Sequence, residues 1–473
     1  MSSIDTVLKE AYTLVEPSIE DRRYVARVAD MCLNNVKIIA SRYKDVSDVM
    51  LVGSYAKDTW LKDSVDIDIF VKIKPTVDSM RFESIGKSIG FEALKDYNPY
   101  LRYSQHPYVE AIVEGIRVNV VPCYDVSIGN WKSAADRSPY HTLYMLDKLD
   151  YVKRRDVRLL KRFMKVIGVY GAEIAVQGFS GYVCEVLVLV YGSFINTLVR
   201  ASRWREGEVI ALEQIGKEAY GYKSYVNAIN SSGNNDCNSA LIIIDPIDEH
   251  RNLGSAISYE CVGKFILASR NFLTKPSIDY FKYNENVDSN INELKASPYA
   301  NNILIVEFAY EKRSDDIIWG QLKSSTNSIV KQLSINSFNV LRSKCYINDG
   351  KAYIILLLDS LDIPSFSIRR GPSVFDANNA YKFIAKNKGS LLWLDNKGRV
   401  NVLTQRRFTN VKDMIVYILK ERLYSSGISK GLIEDLKRGF NIYTLNDKEK
   451  FNVNIVRAVN ELIASDRYAF QSS

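Results

Sequence analysis

Cysteine, histidine and long apolar runs are what this sequence has least of. Its six cysteines (Cys32, Cys123, Cys184, Cys237, Cys261 and Cys345) are scattered without C-x-x-C spacing, which argues against a zinc site and against a disulfide framework. Reduced, mostly buried thiols are the expectation. No uninterrupted apolar run approaches the roughly 18 residues of a membrane helix, and Met1-Ser2-Ser3-Ile4-Asp5 is not a basic stretch followed by an apolar core. A cytoplasmic protein with no membrane partner is expected. Strong charge imbalance is lacking too: 63 basic against 55 acidic residues leave a net +8, which fits a polyanionic partner without identifying one. No internal repeat is seen. At 473 residues the chain is too long for one core and should form two to four domains.

What is there is concentrated between Gly53 and Phe70, which read GSYAKDTWLKDSVDIDIF. Val65 to Ile73 alternates in the strand sense, so Asp66 and Asp68 emerge on one face, roughly 6.5 to 7 Å apart at their Cα atoms. Ile67, Ile69 and Val71 take the other face into a core. Two carboxylates on one face ask for a cation. Just upstream, the Gly53-Ser54 turn offers backbone N–H groups and a hydroxyl suited to a phosphate, and the carboxylates suit the Mg²⁺ that accompanies triphosphates. An isolated D-x-D is usually a solvated strand; the two features together point to metal-dependent nucleotidyl transfer.

The pattern G-S-x-A-x-x-T-x-L at 53–61 with D-x-D at 66–68 resembles the polymerase-β-like nucleotidyltransferases. With Trp60 and its spacing it is more closely similar to the archaeal, class I CCA-adding enzymes, the tRNA nucleotidyltransferases. Around it, helices are expected over 4–15, from Ser18 to about Tyr43, and over 81–95. A strand at Val49 to Val52 enters the Gly-Ser turn, and strands at Tyr108 to Val113 and Gly115 to Val121 pair around Glu114-Gly115. The family's third metal-binding carboxylate should lie in that last strand, in a block that normally reads V-D-V-V-P-C-Y. Here Val118-Asn119-Val120-Val121-Pro122-Cys123-Tyr124 puts an amide in its place. Asn119 can still offer Mg²⁺ a carbonyl oxygen, but it accepts no proton and brings no negative charge. Slowed, rerouted or absent turnover is the consequence to test. Glu110, Glu114 and Asp125 are close in sequence, and strand parity groups position 119 with Arg117 and Val121, so none of the three acids is expected to stand in.

The resemblance assigns further residues. His106 of His106-Pro107-Tyr108 would lie near the nucleotide sugar and phosphates, and His141, ending the block Trp131 to His141, would touch the triphosphate. Arg154, Arg158, Lys161, Arg162 and Lys165 form a cationic stripe on a helix over 149–167, either a solvated face or a surface for phosphate or RNA. The resemblance places Lys161 and Tyr170 at the triphosphate, with Gly53, Ser54 and Lys57. Gln177 to Glu185 opens an apolar helix to about Val199, with Ser180 as its N-cap. After a Ser- and Asn-rich loop at 230–239, a buried strand at Leu241 to Ile244 leads to Arg251, an anchor in a turn by its residues alone and, by resemblance, the reader of the incoming base.

In the C-terminal half, strands at Ile303 to Phe308 and Ala352 to Leu358 flank a helix near 317–335, and three helices are expected at 411–424, 429–438 and 447–465. Arg369-Arg370-Gly371-Pro372-Ser373 resembles a family turn, and Lys386, Lys388, Lys397, Arg399, Arg406 and Arg407 interleave with Trp393 and Phe408, a mixture suited to an RNA end. The expected fold is α+β and multidomain: a polymerase-β-like nucleotidyltransferase head with a mixed sheet (1–140), a helical central domain (141–275), and an α+β RNA-binding body and tail (276–473). The resemblance implies addition of C, C and A to tRNA from CTP and ATP, with two Mg²⁺ ions held by Asp66, Asp68 and Asn119. It also implies contact with the acceptor stem and top half of tRNA, and a homodimer. Two alternatives stay open: a form that binds tRNA and nucleotide without turnover, and a poly(A)-polymerase-like transferase.

Overall fold

The computed structural model describes residues 3–103, 105–212, 239–283, 291–447 and 451–470; Cys237 and most of the loop at 230–239 lie outside them. The chain divides into two compact units, Met1–Asn284 with Asp466–Ser473, and Glu285–Ser465.

The first unit opens with helices α1 (Ser3–Val15) and α2 (Ile19–Ala40). Ser18 starts α2 as a capping box: its hydroxyl accepts from the Asp21 N–H at 3.0 Å, and the Asp21 carboxylate accepts from the Ser18 N–H at 2.8 Å. Val25, Val28, Cys32 and Val36 line the buried face of α2. That face shares a core with α4 (Ser79–Ala93) and a five-stranded sheet. Its strands are β1 (Val46–Val52), β2 (Asp66–Ile73), β3 (Tyr100–Tyr103), β4 (Pro107–Val113) and β5 (Ile116–Tyr124), in the order β1-β2-β5-β4-β3. Only β2 and β5 run parallel; the other pairs are antiparallel. Between β4 and β5 the chain reverses at Glu114 (φ 49°) and Gly115 (φ 80°), two left-handed residues as a two-residue hairpin with the sheet's twist requires. Val113 therefore faces Ile116, and three steps out Glu110 faces Asn119.

Beyond the head, α5 (Arg137–Lys148), α6 (Tyr151–Val166), α7 (Gly181–Tyr191), α8 (Phe194–Ala201) and the helix Tyr259–Thr274 share a core that includes Phe163, Phe194, Phe265, Phe272 and Phe281. The single apolar helix expected to reach Val199 is two helices bent by 92°. Gly192 at φ 86° ends the first, and the Ser193 hydroxyl caps the second by accepting from the Asn196 N–H at 3.1 Å. Among the described residues no single helix is long and apolar enough to cross a membrane. The cationic stripe of α6 also differs from either expected surface, because Arg158, Lys161 and Arg162 are buried. Arg158 donates to the carbonyls of Asp58 and Trp60 at 2.6 and 3.0 Å, and Arg162 pairs with Asp63 at 2.7 Å. The stripe holds the loop between α3 (Gly53–Ala56) and β2 instead of facing solvent.

The second unit contains a four-stranded antiparallel sheet in the order β10-β11-β9-β15, from β9 (Ile303–Ala309), β10 (Val340–Asn348), β11 (Lys351–Leu358) and β15 (Asn441–Thr444). Helices Asp315–Ile335, Val411–Lys420 and Lys430–Lys437 share one core with it, and Val453–Ile463 shares a second. The helix between the two expected strands is followed by β10, which the sequence did not announce because most of that strand is half-buried or exposed. A smaller sheet, β12 (Phe366–Ser373), β14 (Arg399–Gln405) and β13 (Leu392–Leu394), exposes Phe366, Ile368 and Leu394 beside the cationic residues of that region. The expected α+β, multidomain class holds.

Candidate active site

Three clusters lie in the first unit, and the corner after β1 links them. Val52 pairs with Asp68, and Gly53 then turns the chain at φ +76°, where a Cβ would lie 2.2 Å from Asp68 Oδ2. Glycine is the residue that this close approach permits. Asp66 and Asp68 stand on one face of β2, as the alternation predicts, while Ile67 and Ile69 are buried on the other. Asp68 faces Asn119 across the parallel pair, and the Asn119 amide donates to Asp68 Oδ1 at 2.8 Å. Burial raises the Asp68 carboxyl to about 6; the Asn119 bond and Lys57 pull it down, and Asp66 adds to the rise. Asp66 is raised as well, by burial first, against Arg117 and Lys165 and with help from Glu110.

The strand register corrects one reading of the sequence. Glu110 is directly opposite Asn119, so Asp68, Asn119 and Glu110 form a row across β2, β5 and β4 on one face. Parity within β5 could not show this; counting outward from the Glu114-Gly115 turn would have. Glu110 is buried, accepts from the Tyr100 hydroxyl, and lies 3.5 Å from Arg102 Nε and 3.7 Å from Arg117 Nε. Arg117 in turn approaches Asp66 Oδ1 at 3.6 Å.

The second cluster joins the corner to the helices. Lys57 Nζ donates to Glu185 Oε2 at 2.5 Å, Lys161 Nζ to Glu185 Oε1 at 3.1 Å, and the Thr59 hydroxyl to Glu185 Oε1 at 2.6 Å, all buried. Burial tends to raise Glu185, but the two ammoniums overcome it and hold the carboxyl at about 2. Lys161 is lowered by the loss of solvent, against the pull of Glu185. A Cβ at Gly181 would meet Tyr170 Oη at 2.9 Å and Lys161 Nζ at 3.6 Å, so both groups flank the start of α7. Ser54 belongs to α3, on the same corner as Lys57.

The third cluster is built on Asp245, fully buried at the end of β7 (Leu241–Asp245), which pairs in parallel with the short strand β6 (Glu208–Ile210). Its carboxylate meets His141 Nε2 at 2.9 Å, the Tyr182 hydroxyl at 3.1 Å and Arg251 Nη1 at 3.3 Å. Arg251 lies on β8 (Asp248–Asn252), paired with β7, and not in a bare turn. His141 stacks on Tyr182 with ring centroids 3.8 Å apart, and Lys57 lies 5.5 Å from that ring's centroid. Burial lowers His141, with Asp245 opposing the shift. Sequence reasoning named His141 and Arg251 and missed the acid between them; an Asp closing an apolar strand was the available signal. His106 packs edge-on to Phe82 with ring centroids 5.0 Å apart, and its Nδ1 lies 3.4 Å from Glu83 Oε1.

The residues present fit a divalent cation. Asn119 Oδ1 is buried without a hydrogen-bond donor beside the Asp68 carboxylate, an acceptor that a cation would satisfy. Among the described residues no group of three or more His, Cys, Asp and Glu could hold a metal ion alone.

Family descriptions match the chain in succession: "Nucleotidyltransferase domain" over 34–141, "tRNA nucleotidyltransferase, second domain" over 155–282, and "CCA-adding enzyme, C-terminal domain" over 300–444. Mixed head sheet, paired aspartates and the first of these matches define a nucleotidyltransferase. A CCA-adding enzyme of Pyrobaculum islandicum is 35% identical over 91% of this chain and 97% of its own length, and one of Methanocaldococcus jannaschii is 35% identical over 90% and 93%. The chain belongs to the CCA-adding enzyme family. A solved structure of the RNA terminal uridylyl transferase Cid1 is 15% identical, covers 60% of this chain and has a TM-score of 0.44. The two alternatives left open by the sequence, a form without turnover and a poly(A)-polymerase-like transferase, are not borne out: the likeness continues into the C-terminal domain of CCA-adding enzymes.

Proposed function

We propose that this chain adds C, C and A to the 3′ end of tRNA from CTP and ATP, without a nucleic-acid template and with release of pyrophosphate. The observation that supports it most is the Asp66 and Asp68 pair on one strand face, closed by Gly53, in a chain of this family. Asp66, Asp68 and the Asn119 oxygen would hold Mg²⁺, two ions when substrate is present. The chemistry that a metal held there would supply is a lower pKa for the attacking 3′ hydroxyl and an offset to the charge of the triphosphate.

The remaining roles follow from position and charge. Gly53 and Ser54 present a turn to the triphosphate, and Lys57, Lys161, His141 and Tyr170 line the way from that turn to α7. His106, by family likeness, belongs to the nucleotide side. Arg251, more than a third exposed and steered by Asp245, can donate to acceptors on cytosine and on adenine alike. The division of labour is a catalytic head at 1–140, a central nucleotide-binding region at 141–275, and a body and tail at 276–473 for the acceptor stem and top half of tRNA. Exposed apolar and cationic side chains on β12 to β14 suit stacking and backbone contact with RNA. A cytoplasmic homodimer completes the proposal.

The test is nucleotide choice as the primer grows. A tRNA lacking its last three nucleotides, given one triphosphate at a time with Mg²⁺, should accept only C, and a tRNA ending in C-C should accept only A. Incorporation of U, or runs of A, contradicts the proposal.

A further inference from the structure

The row across β2, β5 and β4 makes Glu110 more than a core acid. We propose that Glu110 supplies the third negative charge of the metal site, one strand beyond the position where Asn119 stands. This rests on the reading of Asp66 and Asp68 as metal-binding residues.

Four observations carry it. Glu110 is opposite Asn119, and Asn119 is opposite Asp68, so all three side chains leave the sheet on the same side. Glu110 is buried at 3% exposure beside Arg102 Nε at 3.5 Å and Arg117 Nε at 3.7 Å, a carboxylate kept out of water by positive groups that face the site. The Asn119 amide spends its N–H on Asp68 and leaves Oδ1 buried without a donor, between acids on both neighbouring strands. An acceptor flanked by acceptors is completed by a cation. Arg117 shares one guanidinium between Glu110 Oε1 at 3.7 Å and Asp66 Oδ1 at 3.6 Å, which shows that one positive group already answers to both carboxylates.

Glu110 does not close a three-acid cage with the two aspartates, since no such group exists among the described residues. Its part is the charge itself, carried to the ion through space and through the water that Mg²⁺ retains when it binds few carboxylates directly. Asn119 then supplies an oxygen and Glu110 the charge, two parts that a single aspartate at 119 would combine.

The experiment is a titration of the full chain with Mn²⁺ alone, the free ion followed by electron paramagnetic resonance. Asp68→Asn should remove the site. Glu110→Gln, which keeps shape and can still accept from Tyr100, should weaken Mn²⁺ about tenfold. Asn119→Asp should tighten it less than threefold in the natural sequence, yet restore full affinity when combined with Glu110→Gln. A merely structural Glu110 would not be rescued from position 119. Unchanged affinity in Glu110→Gln overturns the proposal. If Glu110→Gln fails to fold, Asn119→Asp alone decides: tightening below threefold supports the proposal, and tenfold or more overturns it. Unchanged affinity in Asp68→Asn would instead remove the metal reading of Asp66 and Asp68 itself.

Discussion

Replacing Glu185 by Gln tests whether one carboxylate holds the corner after β1 to the helices. Glu185 is fully buried and takes Lys57 at 2.5 Å, Thr59 at 2.6 Å and Lys161 at 3.1 Å. Its carboxyl is held at about 2 against an ordinary 4.5. At about 1.4 kcal/mol for each tenfold in proton affinity, that gap corresponds to about 3 kcal/mol of stability. The sign follows from the direction: a depressed carboxyl contributes fully above its unfolded value and loses the contribution as the pH falls from 4.5 toward 2. Glutamine preserves the shape but leaves two buried ammoniums without a counter-charge, a loss of about 3 to 5 kcal/mol when one partner of a buried pair goes. At about 2.1 cal/mol/K of unfolding entropy per residue, each kcal/mol moves the melting temperature of a unit of this size by roughly 1.5 to 2 °C. Scanning calorimetry at neutral pH should therefore show the transition of the first unit lowered by roughly 5 to 10 °C. Melting of Glu185→Gln within about 2 °C of the natural protein would refute the reasoning, because the cluster would then contribute nothing at the expected scale.

Metal affinity should depend on pH through Asp68: its free carboxyl titrates near 6, so below that value protons compete and Mn²⁺ affinity falls by up to about tenfold per pH unit, while above it the affinity levels off. Mn²⁺ titrations at graded pH check this, and a flat profile contradicts it. Gly53→Ala places a methyl group 2.2 Å from Asp68 Oδ2 at a left-handed φ. It should cost about 1 to 2 kcal/mol in denaturant titrations and more than about 100-fold in nucleotide addition. Asp245→Asn weakens the hold on both His141 and Arg251. Rejection of UTP and GTP relative to CTP, measured as ratios of kcat/KM, should fall by about tenfold, and unchanged ratios would deny Asp245 a role in orienting Arg251.

Much of the head was legible because local rules and packing agreed. Alternation placed Asp66 and Asp68 on one face, Ser18 and Asp21 marked the start of α2, and Glu114-Gly115 fixed a hairpin whose two residues both need positive φ. What stayed hidden depended on partners distant in the chain. Arg158 and Arg162 read as part of a solvated face or of a surface for phosphate or RNA, yet their partners Asp58 and Asp63 lie about a hundred residues upstream, and that pairing sets the face of α6. Glu185 read as one acid in an apolar helix until Lys57 and Lys161 met it. Asp245 gave away little because its partners come from α5, α7 and β8. Gly192 was visible in the sequence, but a glycine in an apolar run does not say whether the chain bends until Ser193 is seen capping the next helix.

The most direct measurement of the central claim is sequencing of the product's 3′ end. A tRNA lacking its last three nucleotides is incubated with the chain, Mg²⁺ and all four nucleoside triphosphates at equal concentration. The account predicts growth by C, C and A, in that order, followed by a stop. Products carrying U or G, a lengthening A tail, or no growth at all would contradict it.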